Sequence, residues 1–115
     1  MAGELSFFEI GVPDDQRART FYSKLFAWSF PPMGDSGQTS IETPTMRAGL
    51  HGSDAQAQMV VYFAVLDIEA AVVRVRELGG EADDPTAEEP GFGRFANCRD
   101  DQGVNFGLHQ APTSG

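Results

Sequence analysis

Cysteine is nearly missing from this chain: its 115 residues include one, Cys98. A lone thiol forms no internal disulfide and no cysteine metal cluster, which suits a reducing compartment, and its setting reads as a buried strand. Histidine is almost as scarce, with two residues. Serines and histidines are too few and too scattered for a nucleophile elbow or a Ser-His-Asp arrangement, and no phosphate loop is present. Positive charge is also in short supply, 8 Lys and Arg against 17 Asp and Glu, for a net charge of -9. Nucleic-acid backbones are gripped by Lys and Arg, so a nucleic-acid partner is excluded, while a cationic small molecule would be attracted. No apolar run is long enough to cross a bilayer, and the N-terminus lacks a basic-then-apolar secretion pattern. The expectation is a cytoplasmic protein with no membrane partner. Its length and its 41% hydrophobic content suit one domain with a real core.

What the chain does have is recurrence. Gly49-Leu50-His51 returns as Gly107-Leu108-His109. Before the first copy, Phe8, Ile10 and Val12 alternate with Phe7, Glu9 and Gly11 as in a half-buried strand. Pro13-Asp14-Asp15 offers a turn and a helix cap, and Ala18, Phe21, Tyr22 and Leu25 then follow at helical spacing up to Phe26. Before the second copy, Met59 to Val65 reads as a strand and Asp67 as a cap. Ile68, Ala71, Val72, Val75 and Leu78 form a helical stripe that Gly79-Gly80 stops.

The remaining stretches carry no helical stripe. Between Trp28 and Gly52, Pro31-Pro32, Gly34-Asp35-Ser36-Gly37 and Thr43-Pro44 punctuate two or three short strands. Pro85 to Gly91 is an acidic loop, and strands at 93–99 and 104–110 flank the turn Asp100-Asp101-Gln102-Gly103. The pattern predicts an α+β fold of two strand-helix-strands modules, at about 5–52 and 59–110. A linker at about 53–58 joins them, and a frayed tail covers 111–115. A four-stranded ferredoxin-like fold has too few strands for these helix-free stretches.

These residues resemble a known family. Phe8-Glu9-Ile10-Gly11-Val12-Pro13-Asp14, Phe21-Tyr22 and Leu25-Phe26-Ala27-Trp28 are similar to the vicinal oxygen chelate superfamily. So are Tyr62-Phe63-Ala64-Val65, Leu78-Gly79-Gly80, Gly93-Arg94-Phe95-Ala96, and Asp100-Asp101-Gln102-Gly103 leading to Phe106-Gly107-Leu108-His109-Gln110. The superfamily holds glyoxalase I, bleomycin-resistance proteins and extradiol dioxygenases, and the likeness runs from about Leu5 to Gln110. It implies paired βαβββ modules whose mixed sheets curl around a cavity, commonly in a homodimer. One scaffold hosts several chemistries, so it does not imply one activity.

Metal-dependent members carry one ligand near the start of each module's first strand and one on each last strand. By motif these positions fall on Phe7, Val60, Gly49 and Gly107. None offers a lone pair to a divalent cation, so the resemblance leaves enzymatic activity open. One same-face step along, the row reads Glu9, His51, Tyr62 and His109. Three readings of that quartet stand together: ordinary polar groups at strand ends, hydrogen-bonding partners for a ligand, or a displaced metal site. The expected cavity comprises Phe7, Glu9, His51, Val60, Tyr62, Phe92, Arg94, Gly107 and His109, with Arg94 alternatively pairing with Glu88-Glu89. The expected function is cofactor-free binding of a small organic ligand, of cationic or polar character. The alternative is a lyase- or dioxygenase-type enzyme with a divalent metal on Glu9, His51 and His109, or with Glu9 as a general base.

Overall fold

The computed structural model describes residues 3–31 and 39–112. It is an α+β protein with seven strands and two helices, in chain order β1 (Leu5–Gly11), α1 (Asp15–Phe26), β2 (Thr39–Glu42), β3 (Arg47–His51), β4 (Gln58–Ala64), α2 (Ile68–Glu77), β5 (Glu81–Ala82), β6 (Arg94–Arg99) and β7 (Asn105–Gln110). Among the described residues, no helix is long and apolar enough to cross a membrane. The chain packs as two compact units, one of residues 7–60 and one of residues 61–115 together with the stretch before Phe7.

In the first unit the strand order is β2-β3-β1. β1 and β3 run parallel, with Glu9 opposite Gly49 and Gly11 opposite His51. β2 runs antiparallel to β3 and sets Ser40 opposite Gly49. Helix α1 starts where the sequence predicts, because the Asp14 carboxylate accepts the Arg17 amide hydrogen. It stops at Ala27, whose φ of 61° is left-handed and ends the α-helical hydrogen-bond ladder. Ile10, Ala18, Ile41, Ala48 and Leu50 form the core, with Phe8, Val12, Tyr22 and Trp28 packed on it. Tyr22 and Trp28 stack at 5.4 Å, so these two aromatics belong to that core.

The stretch after α1 holds β2 and β3, in line with the two or three short strands its punctuation predicts. Ser29 bridges Glu42, and the Ser40 amide donates to the Pro31 carbonyl, so residues 29–31 flank β2 without forming a full strand. Pro32 and the predicted turn at Gly34-Asp35-Ser36-Gly37 lie outside the described residues. The start of the predicted linker is held within the first unit: the Ser53 amide donates to Pro13 and the Asp54 amide to Val12.

The second unit is strand, helix and three strands, in the spatial order β4-β7-β6-β5. β4 and β7 are parallel with Tyr62 opposite Gly107 and Ala64 opposite His109. β6 is antiparallel to β7 and sets Asn97 opposite Gly107. The N-terminal residues join this unit, since the Gly3 amide donates to Ala64 and the Ala64 amide to Glu4. Asp67 caps α2 by accepting from the Ala70 amide. Ile68, Val72, Ala96, Cys98 and Leu108 form the core.

The β6–β7 turn is held by Asp100, whose Oδ1 accepts from the Gln102 and Val104 amides. Those bonds, that of Val104 foremost, hold its carboxyl below the usual aspartate range. The stabilisation is therefore present at neutral pH and is lost as pH falls through the lowered value. Cys98 is buried on β6, as its sequence setting predicts, and burial pushes its thiol up to about 11. Only the thiolate alkylates readily, so Cys98 is expected to react with iodoacetamide at pH 8 at least tenfold more slowly than free cysteine. Mass-spectrometric labelling of the folded protein, with a urea-unfolded control, measures this.

Candidate functional site

A strand presents alternate side chains to opposite faces. In the first unit Phe8, Ile10, Val12, Ala48 and Leu50 lie against the core with Ala18 of α1. Phe7, Glu9, Gly11, Gly49 and His51 therefore occupy the other face, and Ser40 joins them through its register with Gly49. In the second unit Ala96, Leu108 and Phe106 pack with α2. Tyr62, Asn97, Gly107 and His109 take the opposite face.

Each unit thus has a polar row with glycine at its centre: Glu9, Gly49 and Ser40 in one, Tyr62, Gly107 and Asn97 in the other. The two rows are filled differently. The Tyr62 ring lies across Gly107, and its hydroxyl donates to Asn97 Oδ1 at 2.8 Å, two strands away. A Cβ at position 107 would come within 2.0 Å of that ring. Tyr62 is only 3% exposed and meets Phe95 edge to face. Gly107 is the space into which this tyrosine folds.

Over Gly49 nothing comparable happens. A Cβ there would meet Glu9 Cγ and Oε2 at 3.6 Å, ordinary contact distance. The half-buried Glu9 carboxylate and the Ser40 hydroxyl have no hydrogen-bond or ion-pair partner among the described residues. A carboxylate partly withdrawn from water and left unpaired is costly, and that cost is recovered when a donor arrives.

The two histidines also differ. His51 Nδ1 lies 3.0 Å from Asp54 Oδ2. His109 has both ring nitrogens engaged, Nδ1 by the Ser6 hydroxyl at 2.5 Å and Nε2 by the Phe92 carbonyl at 2.6 Å. The Phe92 ring packs on His109 with centroids 4.7 Å apart. Arg94 does not reach for Glu88-Glu89. It pairs with Glu69 of α2 at 2.5 Å and donates through Nε to the Thr86 carbonyl, because β6 directs it toward the start of that helix. Phe7 is a buried side chain and Val60 a partly buried one.

Sequence reasoning missed three partners here. Asp54 sits in the predicted linker, and Ser40 and Asn97 had no motif to mark them. Strand register is the signal that finds the last two, since each stands opposite a singled-out glycine. An open groove along α1, lined by Val12, Pro13, Asp14, Arg17, Phe21 and Lys24, lies on the helix side rather than on the Glu9 face.

Residues 4–108 match the Glyoxalase/Bleomycin resistance protein/Dioxygenase superfamily. The chain belongs to this superfamily. Methylmalonyl-CoA epimerase from Mycobacterium tuberculosis superposes with a TM-score of 0.66 at 18% identity, over 96% of this chain and 89% of that one. A hypothetical protein from Bacillus halodurans C-125 gives 0.70 at 14% identity, over 98% and 97%. An extradiol ring-cleaving dioxygenase from B. fuscum gives 0.73 at 18% identity, where this chain matches 97% of itself but 34% of the larger enzyme. At these identities the likeness is one of fold. No curated protein sequence matches the chain.

The positions that the resemblance implies for a metal, Phe7, Gly49, Val60 and Gly107, carry no lone-pair donor side chain. At Gly107 the Tyr62 ring occupies the space a ligand side chain would need. None of these side chains fits the role of a metal ligand. Among the described residues, no three His, Cys, Asp or Glu side chains are grouped closely enough to hold an ion.

Proposed function

We propose that this protein binds a small organic ligand without a resident metal, seating the ligand's polar end on the first unit at Glu9, Ser40 and His51. The observation that carries this reading is the half-buried Glu9 carboxylate, which lies over Gly49 at ordinary contact distance and has no hydrogen-bond or ion-pair partner among the described residues. A carboxylate there accepts hydrogen bonds from an amine, guanidine or hydroxyl, and the net charge of -9 favours a cationic molecule. Phe7 supplies apolar surface on the same strand face. The proposal includes a homodimer, which light scattering after size exclusion tests, and a reducing, cytoplasmic setting that suits the lone buried Cys98.

Thermal-shift screening against cationic organic compounds, basic glycopeptide antibiotics among them, is the direct test. A binder at a hundred times its Kd stabilises by about 2.7 kcal/mol, a shift of several degrees. Glu9→Gln is expected to weaken that binder at least tenfold while leaving the unliganded melting temperature within about 2 °C, because Glu9 has no partner to lose among the described residues. Stabilisation by no compound in the panel would remove the reading.

The alternative of a divalent metal on Glu9, His51 and His109 requires a lone pair on each histidine. The hydrogen bonds from Ser6 and to Phe92 already engage both nitrogens of His109, which makes this the weaker reading. Elemental analysis of protein purified without chelators, followed by titration with Zn, Ni, Fe and Mn, decides between the two.

A further inference from the structure

Several independent features converge on His51 and Asp54. Gly11, opposite His51 in the register, lies directly beneath the pair: a Cβ there would stand 1.9 Å from Asp54 Oδ2 and 2.7 Å from His51 Cε1. The chain turns back after β3 through Ser53, whose φ of 64° is a left-handed conformation rare for a residue with a Cβ. Backbone bonds lock that turn, from the Val12 amide to His51, from Ser53 to Pro13 and from Asp54 to Val12. The outcome is a carboxylate 3.0 Å from an imidazole Nδ1, with the two side chains 32% and 29% exposed for His51 and Asp54. His51 Nε2 has no hydrogen-bond partner among the described residues. Glu9 lies on the same strand face, on the neighbouring parallel strand.

We propose that His51 and Asp54 form a proton-transfer dyad, with His51 Nε2 the atom that takes a proton from a molecule seated beside Glu9. Asp54 accepts the Nδ1 hydrogen and so keeps the Nε2 lone pair turned outward. This is the arrangement of a base oriented by a third group. In the step, the ligand's bond to its acidic hydrogen breaks and the electron pair stays on the ligand. An N–H bond forms at Nε2, and the Asp54 carboxylate stabilises the resulting imidazolium. Return of the proton to the ligand regenerates the dyad. The two acceptors, Nε2 and the Glu9 carboxylate, select a polar organic ligand that presents two hydrogen-bond donors, the one at His51 being the acidic hydrogen. The inference rests on the reading that this strand face receives a ligand, but its test needs none.

The proposed dyad requires the two histidines to be in opposite tautomers. In the dyad His51 would carry its hydrogen on Nδ1, beside Asp54 Oδ2, whereas the Phe92 carbonyl, an acceptor only, places the His109 hydrogen on Nε2. Nitrogen NMR of the full chain with 15N-labelled histidine, at pH 8.5, reads both directly. The expected result is the Nδ1–H form at His51, lost in Asp54→Ala, with His109 unchanged. In parallel, diethyl pyrocarbonate should modify His51 at least tenfold faster than His109, and Asp54→Ala should remove most of that advantage. Glu9→Gln should leave both readouts as they are, which separates a failure of ligand binding from a failure of the dyad. An Nε2–H form at His51 in the unmodified protein, or equal modification of the two histidines, would overturn the proposal.

Discussion

Replacing Gly107 with alanine is expected to destabilise the protein by about 2–3 kcal/mol, the range for overpacking a filled site. The added methyl would lie 2.0 Å from Tyr62 Cδ2 and 2.2 Å from Cε2, inside the ring's own volume. The ring cannot swing aside cheaply. It is buried, it meets Phe95 edge to face, and its hydroxyl is tied to Asn97. Displacing it strands the Asn97 acceptor as well, at roughly 1 kcal/mol more. The matched change Gly49→Ala is expected to stay within about 0.5 kcal/mol, since its methyl meets Glu9 at 3.6 Å and alanine restricts the unfolded chain. Urea unfolding of both variants measures the contrast. Equal effects would mean that the two glycines are not differently filled, and the contrast drawn between the two units would fall with them.

Gly93→Ala is expected to be the more damaging change, about 3 kcal/mol or more, because backbone strain adds to a clash. Gly93 has a φ of 102°, and its Cβ would stand 2.0 Å from the Gln110 carbonyl oxygen and 2.8 Å from Ala111 C and Pro112 N. All three are backbone atoms, so relief requires the end of β7 to move. Gly93 also closes the small turn with Glu89 that carries the Phe92 carbonyl to His109. Loss of that turn should therefore release His109 as well as lower stability. Gly91 provides the control: its φ is 81° but nothing lies within 4 Å of the added carbon. Gly91→Ala should cost about 1 kcal/mol, the conformational part alone. Denaturant melts of the two variants, with the His109 imidazole followed by NMR, separate strain from clash.

Much of the fold could be read from local pattern. Asp14 and Asp67 were legible as caps because a short carboxylate before an amphipathic run has few other uses, and both accept the expected amide hydrogens. The alternation of Phe8, Ile10 and Val12 identified the core face of β1 directly. The loop chemistry of Asp100 to Gly103 marked the final hairpin, with strands one residue shorter at the start than the sequence suggests. The punctuation after Trp28 also marked β2 and β3, although it could not tell the bridge at Ser29 from a third strand.

The candidate site was legible only in part. Glu9 and the histidines could be singled out by period-two spacing. Their partners could not, because Asp54 returns to His51 through a left-handed serine that no local propensity announces. Arg94 shows the same limit: nearby Glu88-Glu89 compete with Glu69, which is 25 residues away in sequence and is brought near by the packing of α2.

The sequence by itself determined the order of strands and helices and the faces that must be buried. Composition and periodicity are sufficient for these, since they concern single residues and their immediate neighbours. Only the tertiary structure decided what the repeated Gly-Leu-His does in each unit. Register places one glycine under a tyrosine ring and the other at ordinary contact distance from a glutamate, and it gives one histidine a carboxylate and the other a serine and a carbonyl. Identical tripeptides acquire different chemistry because a strand's side chains are answered by residues from other strands, and those differ between the two units.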